Sequence, residues 1–142
     1  MSPLAGYSGT PLVSKLGIRP GTRLALIAAP DGFERELAGL PSDVRVMARV
    51  TGSPELTVWF VGRRRDLDRR MASVARLMGP GLWVAWPKRA SGVATDLSED
   101  LVRAAGLAHG LVDYKVCAIN ATWSGLKFAR RAGRCPDRRA RT

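Results

Sequence analysis

Three short, continuous apolar runs constrain the fold of this chain more than any other feature of its sequence. They cover residues 23–29 (RLALIAA), 56–61 (LTVWFV) and 82–86 (LWVAW). Runs of this length without polar alternation are typical of β-strands that are covered on both faces. We therefore predict that the three runs form neighbouring central strands of one sheet, with helices on both of its faces.

Helical patterns lie between these runs. The strongest covers residues 67–78, where apolar side chains recur on one face, and Asp66 is expected to cap that helix. A short helix is predicted from Thr10-Pro11 to Gly17, and another from about Leu97 to Ala105. The spacing of Phe33, Leu37 and Leu40 predicts one more helix.

The remaining strands differ in pattern from the central ones. Residues 44–50 alternate, which favours a half-exposed edge strand. The connection over 51–55 is too short for a helical crossover, so either this strand pairs antiparallel or an extended segment crosses back. Residues 115–119 and 125–130 are expected to form a terminal antiparallel hairpin.

Taken together, the patterns predict a single three-layer α/β/α sandwich with a Rossmann-like mixed sheet that ends in an antiparallel hairpin. The 142-residue chain is long enough for one domain, and we assign residues 1–131 to it. Residues 132–142 are rich in Arg and lack an apolar period, so we expect a disordered tail.

The charge of the chain leaves two interpretations open. A formal net charge of +11 could favour nucleic acid or another polyanion. A bias toward Arg, Ala and Gly from a GC-rich genome explains the same charge, and no basic run is interleaved with aromatic residues. Because no apolar run spans a membrane and no signal peptide is visible, we expect a cytoplasmic protein without a membrane partner.

The turn after the first predicted strand lacks the usual marks of a nucleotide cofactor. It reads AAPDGF, with Gly32 as its one glycine, whereas sites for dinucleotides or S-adenosylmethionine usually have several there. The second strand ends in Arg49 and Thr51 and offers no acid to a ribose. We therefore expect no cofactor, and S-adenosylmethionine should bind weakly or not at all.

Nucleophiles and metal ligands are sparse in the sequence. His109 is interpreted as a solvated loop residue, and Ser8 and Ser124 as turn residues outside any nucleophile elbow. Cys117 lies in an apolar run, and Cys135 lies in the polar tail without a CxxC spacing. We assign no catalytic residue and no metal site.

The segment WPKRASGVATDLSED, residues 86–100, is the strongest candidate for a binding site. Strand carboxyl ends are where ligands bind in open α/β sheets, and helix-start amides attract anions. We predict a site for a phosphate- or carboxylate-bearing ligand here. The ligand is held by Lys88, Arg89, Ser91 and the amides near Thr95. Trp86 forms one wall of the site, and Asp31 faces it across the crevice.

A simpler interpretation of the same segment remains open. Asp96 and Glu99 have capping-box spacing, so the segment could be an ordinary capped loop with a solvated Lys-Arg pair. The acidic residues at the expected helix start would then repel a second anion.

Four blocks of the sequence resemble the domain-of-unknown-function 3052 family, which consists of small bacterial proteins. They are AGYSGTPLVSKLGI, PDGF, LWVAWPKRASGVATDL and GLVDYKVCAINATWSGLKF, within about residues 5–131. The resemblance implies membership and brings no established activity. The strand order also resembles a pared-down class I methyltransferase, an architectural likeness that does not by itself imply function.

Three function hypotheses follow. The first is a non-catalytic module that binds a small anionic ligand or a protein partner. The alternative is a degenerate S-adenosylmethionine-dependent methyltransferase-like enzyme, and a weaker alternative is a nucleic-acid accessory protein that uses the Arg tail. The sequence leaves the ligand, the reaction and the oligomeric state open.

Cutting the chain after Arg131 should leave its melting temperature almost unchanged. The removed residues are polar and have little apolar surface to bury. Thermal unfolding of the full and truncated chains checks this. A clear drop in the melting temperature would show that the tail packs on the domain.

Overall fold

The computed structural model describes residues 12–37, 39–48 and 54–131. These residues form a six-stranded mixed sheet in the order β2-β1-β3-β4-β6-β5, with three α-helices. The strands are β1 (Arg23–Ile27), β2 (Arg45–Met47), β3 (Leu56–Phe60), β4 (Gly81–Pro87), β5 (Leu111–Ala118) and β6 (Trp123–Arg130). The helices are α1 (Leu12–Leu16), α2 (Arg64–Leu77) and α3 (Glu99–Ala108), and single 3-10 turns occupy Phe33–Glu36 and Arg89–Ser91.

The prediction of three central strands is confirmed. Strands β1, β3 and β4 are parallel neighbours, and the sheet edges are β2 and β5. Every residue of β3 and β4 is buried, as the continuous apolar runs require. The Rossmann-like α/β fold class is therefore confirmed as well.

The sheet separates two apolar cores. On one face, α2 and α3 pack through Met71, Val74 and Val102 onto a core that includes Trp59. On the other face, α1 and the 3-10 turn at Phe33 pack onto a core that includes Trp83. Both tryptophans are fully buried, so their assignment to the core from the apolar runs is correct.

The structure decides between the two alternatives for the second strand. Strand β2 pairs parallel with β1, and β3 lies on the other side of β1. The antiparallel alternative is therefore excluded, and residues 49–53 of the connection from β2 to β3 lie outside the described part. The edge strand predicted over 44–50 is present, and three residues of it pair.

The terminal hairpin is confirmed and is longer than predicted. Strand β6 lies between β4 and β5 and is antiparallel to both. The register of β5 against β6 shifts between Asp113 and Lys115, so Tyr114 is an extra residue in a β-bulge.

Two helix predictions were wrong. The described residues of 33–40, which exclude residue 38, contain a single 3-10 turn, because Leu37 leaves the helical region and Gly39 has a φ of +80°. Leu40, expected on a helix face, is 37% exposed. Asp66 does not cap α2, which begins at Arg64 after Arg63, and it lies instead in the first turn of that helix.

Two further predictions fall outside the described residues. They are the helix start at Thr10-Pro11 and the tail at 132–142. The predicted end of the first helix at Gly17 is confirmed by a φ of +83° immediately after Leu16.

Replacing Gly106 with alanine should destabilise the fold by about 1–3 kcal/mol, although alanine is the better helix former. A Cβ at this position would lie 2.2 Å from a ring atom of Phe128, which is fully buried and has little room to move. Denaturant unfolding measures the effect. Gly62→Ala is the matched control, because a Cβ there meets no atom within 4 Å.

An unchanged or raised stability of Gly106→Ala would show that α3 can move away from β6. A loss in the Gly62→Ala control as large as that of Gly106→Ala would remove the steric explanation.

Candidate functional site

A cleft of about 480 Å³ lies at the carboxyl end of β1. Its lining runs from Leu26 through the turn to Arg35, and Met47 and Ala48 at the end of β2 complete it. The volume falls in the range of small-molecule pockets.

The cleft lies on the β1–β2 side of the point where the order of the sheet reverses, and no residue of β3 lines it. From β1 the chain continues outward to β2, and it then returns to β3 on the opposite side of β1. In open α/β sheets, ligands bind outside the carboxyl ends of the strands at such a reversal. The cleft therefore lies next to the position at which topology predicts a binding site.

The turn that follows β1 has an unusual backbone. Ala28 has a φ of +58°, a left-handed conformation that costs a residue with a Cβ about 1–2 kcal/mol and that glycine adopts readily. Gly32, four residues on, has a φ of +81°. Amide hydrogen bonds close the turn, from Phe33 to the carbonyl of Pro30 at 3.1 Å and from Arg35 to that of Gly32 at 3.0 Å. The AAPDGF turn thus takes a glycine-like conformation at Ala28 without a glycine there.

The cleft combines an apolar interior with a charged mouth. Leu26 and Phe33 are buried, and the Phe33 ring packs edge-on against Phe60 with their centroids 4.7 Å apart. Asp31 and Glu34 line the cleft as exposed carboxylates, against the single guanidinium of Arg35. Within a basic chain, this balance favours a neutral or positively charged ligand over an anion.

The loop predicted to hold an anion makes its own hydrogen bonds. The Ser91 hydroxyl donates to the carbonyl of Lys88 at 2.7 Å and accepts from the amide of Val93. The Thr95 hydroxyl donates to the carbonyl of Gly62 at 2.7 Å and accepts from the amide of Leu97. Both hydroxyls therefore serve to fold the loop.

The helix start was predicted at the wrong residues. Helix α3 begins at Glu99, and Ser98 caps it by accepting from the amide of Leu101. The Asp96 carboxylate accepts from the amide of Arg64 at 2.7 Å, so it caps the start of α2 instead. The amides near Thr95 are consequently not a helix N-terminus.

The other predicted site residues do not converge. Trp86 is 6% exposed and packs in the core below α2 and α3, so it is not a pocket wall. Asp31 lines the cleft at β1, whereas none of residues 86–95 does. Lys88 is partly exposed and Arg89 is exposed. Anion binding by that pair stays a prediction.

The remaining candidates add no second centre. His109 is exposed, with Nδ1 3.0 Å from the carbonyl oxygen of Ala105. Burial raises the pKa of the Cys117 thiol, which makes it a poorer nucleophile at neutral pH. Within the described ranges, no three His, Cys, Asp or Glu side chains are grouped so that they could hold a metal ion. No helix in the described part of the chain is long and apolar enough to cross a membrane.

Comparison with known proteins gives structural likeness only. No family model and no curated protein sequence matches the chain. Among solved structures, magnesium protoporphyrin IX methyltransferase from Synechocystis PCC 6803 with bound S-adenosylmethionine is similar, with a TM-score of 0.57 and 10% identity over 84% of this chain and 74% of that one. Ribosomal protein L11 methylase from Lactobacillus delbrueckii subsp. bulgaricus gives a TM-score of 0.57 and 10% identity over 84% and 75%. A protein of the NADB-Rossmann superfamily from Streptococcus agalactiae gives a TM-score of 0.51 and 13% identity, over 86% of this chain and 68% of that one.

These similarities correct the functional hypothesis. The prediction of a non-catalytic module for a small anion or a protein partner was wrong, because methyltransferases recur among the similar structures. At such low identity the likeness shows the fold alone. It agrees with the architecture that the strand order had suggested.

Asp96→Ala should lower the free energy of unfolding by about 1 kcal/mol, the usual effect of removing a helix cap. The Arg64 amide would lose its acceptor at the start of α2. Denaturant unfolding measures the change. Asp68→Ala is the control, because its exposed ion pair with Arg64, at 3.7 Å, should contribute little. Equal losses in the two variants would contradict a capping role.

Proposed function

We propose that the chain is a reduced S-adenosylmethionine-dependent methyltransferase-like protein that holds this cofactor in the cleft at the carboxyl end of β1. The observation that carries the proposal is the left-handed Ala28, which gives the turn at the cleft a backbone that glycine usually supplies. Backbone strain of this kind concentrates at functional sites. The likeness to methyltransferase structures, one of them with bound S-adenosylmethionine, supports the choice of cofactor.

The cleft residues fit the chemistry of this cofactor. Leu26, Phe33 and Met47 offer apolar surface for the adenine ring. Asp31 and Glu34 offer carboxylates, which suit the sulfonium and ammonium groups of S-adenosylmethionine or its ribose hydroxyls. This role for Asp31 replaces its predicted place opposite the Lys88-Arg89 pair.

The bound cofactor would supply a methyl group on a sulfonium sulfur, which passes to the lone pair of an acceptor as the sulfur–methyl bond breaks. The chain's own task is then to hold the cofactor and to orient it toward the acceptor. The carboxylates of Asp31 and Glu34 would attract the positively charged sulfonium group of the bound cofactor.

The chain departs from the usual methyltransferase pattern at two points. The turn has one glycine, which led us to expect weak or absent binding of S-adenosylmethionine from the sequence. The left-handed conformation of Ala28 compensates in part for the missing glycine, because it gives the turn a backbone that glycine usually supplies. The second point is the sequence that follows β2, which offers Arg49 and Thr51 and no acid; both residues lie outside the described part.

We further propose that the chain belongs to the domain-of-unknown-function 3052 family and works in the cytoplasm. The four sequence blocks within about residues 5–131 support the first statement. The sequence contains no apolar run of the length of a membrane span, which fits the second.

Ala48→Trp should abolish binding of S-adenosylmethionine while leaving the fold intact. Ala48 is exposed and lines the cleft, so an indole there fills the ligand volume without entering the core. Titration calorimetry measures the affinity, and thermal unfolding verifies the fold. S-adenosylhomocysteine serves as a second ligand, and its lack of the sulfonium charge should weaken its attraction to the acidic mouth.

The matched control is Ala90→Trp. Ala90 is also exposed, but it lies in the loop of Lys88 and Ser91. This variant should bind like the unaltered chain. Binding that survives Ala48→Trp and fails in Ala90→Trp would move the site to the loop. No detectable heat at millimolar cofactor in the unaltered chain would overturn the proposal.

A further inference from the structure

A group of cations lies near the amino ends of the parallel strands, away from the cleft. Lys127 on β6 is paired in register with Trp83 near the start of β4 and with Lys115 on β5. In-register partners project from the same face of a sheet, and for these residues it is the face that α1 covers. Arg19 follows α1 and is also exposed. We call Arg19, Tyr114, Lys115 and Lys127 the hairpin face.

The β-bulge brings an aromatic ring to these cations. Regular alternation would place Tyr114 and Lys115 on opposite faces, but the bulge lets both approach Lys127. The Nζ atom of Lys127 lies 5.8 Å from the centroid of the Tyr114 ring and 5.6 Å from that of the Trp83 ring. Tyr114 is 59% exposed and Trp83 is fully buried, so only the tyrosine offers a ring to a partner.

The cations on this face are not neutralised within the described structure. Arg19, Lys115 and Lys127 form no ion pair with a carboxylate of the described residues, whose ion pairs lie on α2, α3 and Asp113. Partial burial lowers the pKa of Lys127, and the nearby charges of Lys115 and Arg19 lower it further. A group of like charges at a half-buried lysine is unfavourable, and a bound anion would relieve it.

Protection of the sheet edge explains only part of this arrangement. A bulge and an exposed lysine are common ways to keep an edge strand from pairing with another chain, and Lys115 on β5 fits that role. Lys115 also donates to the carbonyl of Lys15 at 3.3 Å, near the end of α1. Neither reason applies to Lys127, which lies on β6 inside the sheet, or to Arg19.

We propose that the hairpin face binds single-stranded nucleic acid, with Tyr114 stacking on a base and the cations contacting the phosphates. An exposed aromatic ring beside a cationic surface is the arrangement that sequence-tolerant single-strand binding uses. The net charge of +11 attracts the same partner over a longer range. This proposal is independent of the cofactor cleft, which lies at the other end of the strands.

The test uses the full chain and a fluorescein-labelled 12-nucleotide uridine oligomer, with binding followed by fluorescence anisotropy at several salt concentrations. Tyr114→Ala should weaken binding about ten-fold, because base stacking is lost. Lys115→Gln/Lys127→Gln should weaken it further and reduce the salt slope by about 0.7 for each lost phosphate contact. Thermal unfolding of each variant verifies the fold.

The control variant is Arg70→Gln/Arg76→Gln. Both residues are exposed on α2, which covers the opposite face of the sheet, and the change in charge is the same. It should leave affinity and slope nearly unchanged. The Arg-rich tail is present in every variant and adds the same background.

Three outcomes would overturn the proposal. The first is no binding of the oligomer at low salt. The second is an equal loss of affinity in the hairpin-face and control variants, which would indicate that net charge alone drives binding. The third is tighter binding to vesicles of acidic phospholipid than to the oligomer, with the loss at Tyr114 seen only for the vesicles. That result would assign the face to a membrane surface.

Discussion

A single buried hydrogen bond, from the indole Nε1 of Trp83 to the carbonyl of Leu16 at 3.0 Å, fixes one side of the molecule. A buried indole N–H needs an acceptor, and the last carbonyls of a helix need donors, so each group satisfies the other. Helix α1 has five residues, too few to be stable alone. Its position therefore depends on this bond and on the burial of Val13 and Leu16 against the sheet.

The placement of α1 has effects beyond its own packing. It covers the face of the sheet on which Lys127 projects, and a Cβ on Gly17 would lie 3.0 Å from the Nζ atom of that lysine. The end of the helix thus limits the space around Lys127. The cleft lies at the other end of the strands, with carboxylates at its mouth. One sheet consequently presents an acidic cleft at one end and a cationic surface at the other.

The sequence predicted the strands well and the helix starts poorly, for physical reasons. A strand buried on both faces must be apolar throughout, so β1, β3 and β4 are visible as runs of residues. A helix cap can come from anywhere in the chain: Asp96 caps α2, which begins 32 residues earlier, and no local pattern indicates that. Residues 33–40 have helical spacing, but the backbone turns at Leu37 and Gly39.

The candidate site was missed for a similar reason. Ala28 has the chemistry of an ordinary residue, and its left-handed conformation is set by the surrounding turn rather than by its side chain. The hairpin face was also hidden, because Arg19, Tyr114 and Lys127 are far apart in the sequence and a bulge turns the tyrosine toward the cations. The loop at 86–100 resembled a site because its polar groups are dense, but Ser91, Thr95 and Asp96 use theirs to fold the loop and to hold it to the start of α2.

The shortness of β2 has a consequence for how the cleft behaves over time. Three residues of β2 pair with β1, at the edge of the sheet, and Met47 at its end lines the cleft. Such a strand opens locally at a much smaller free energy than the central strands, so its amides exchange hydrogen with solvent long before the protein unfolds. A ligand that binds only when β2 is paired with β1 would suppress the local opening of β2 first. Binding of a ligand in the cleft would then slow hydrogen exchange mainly at the amides of β2.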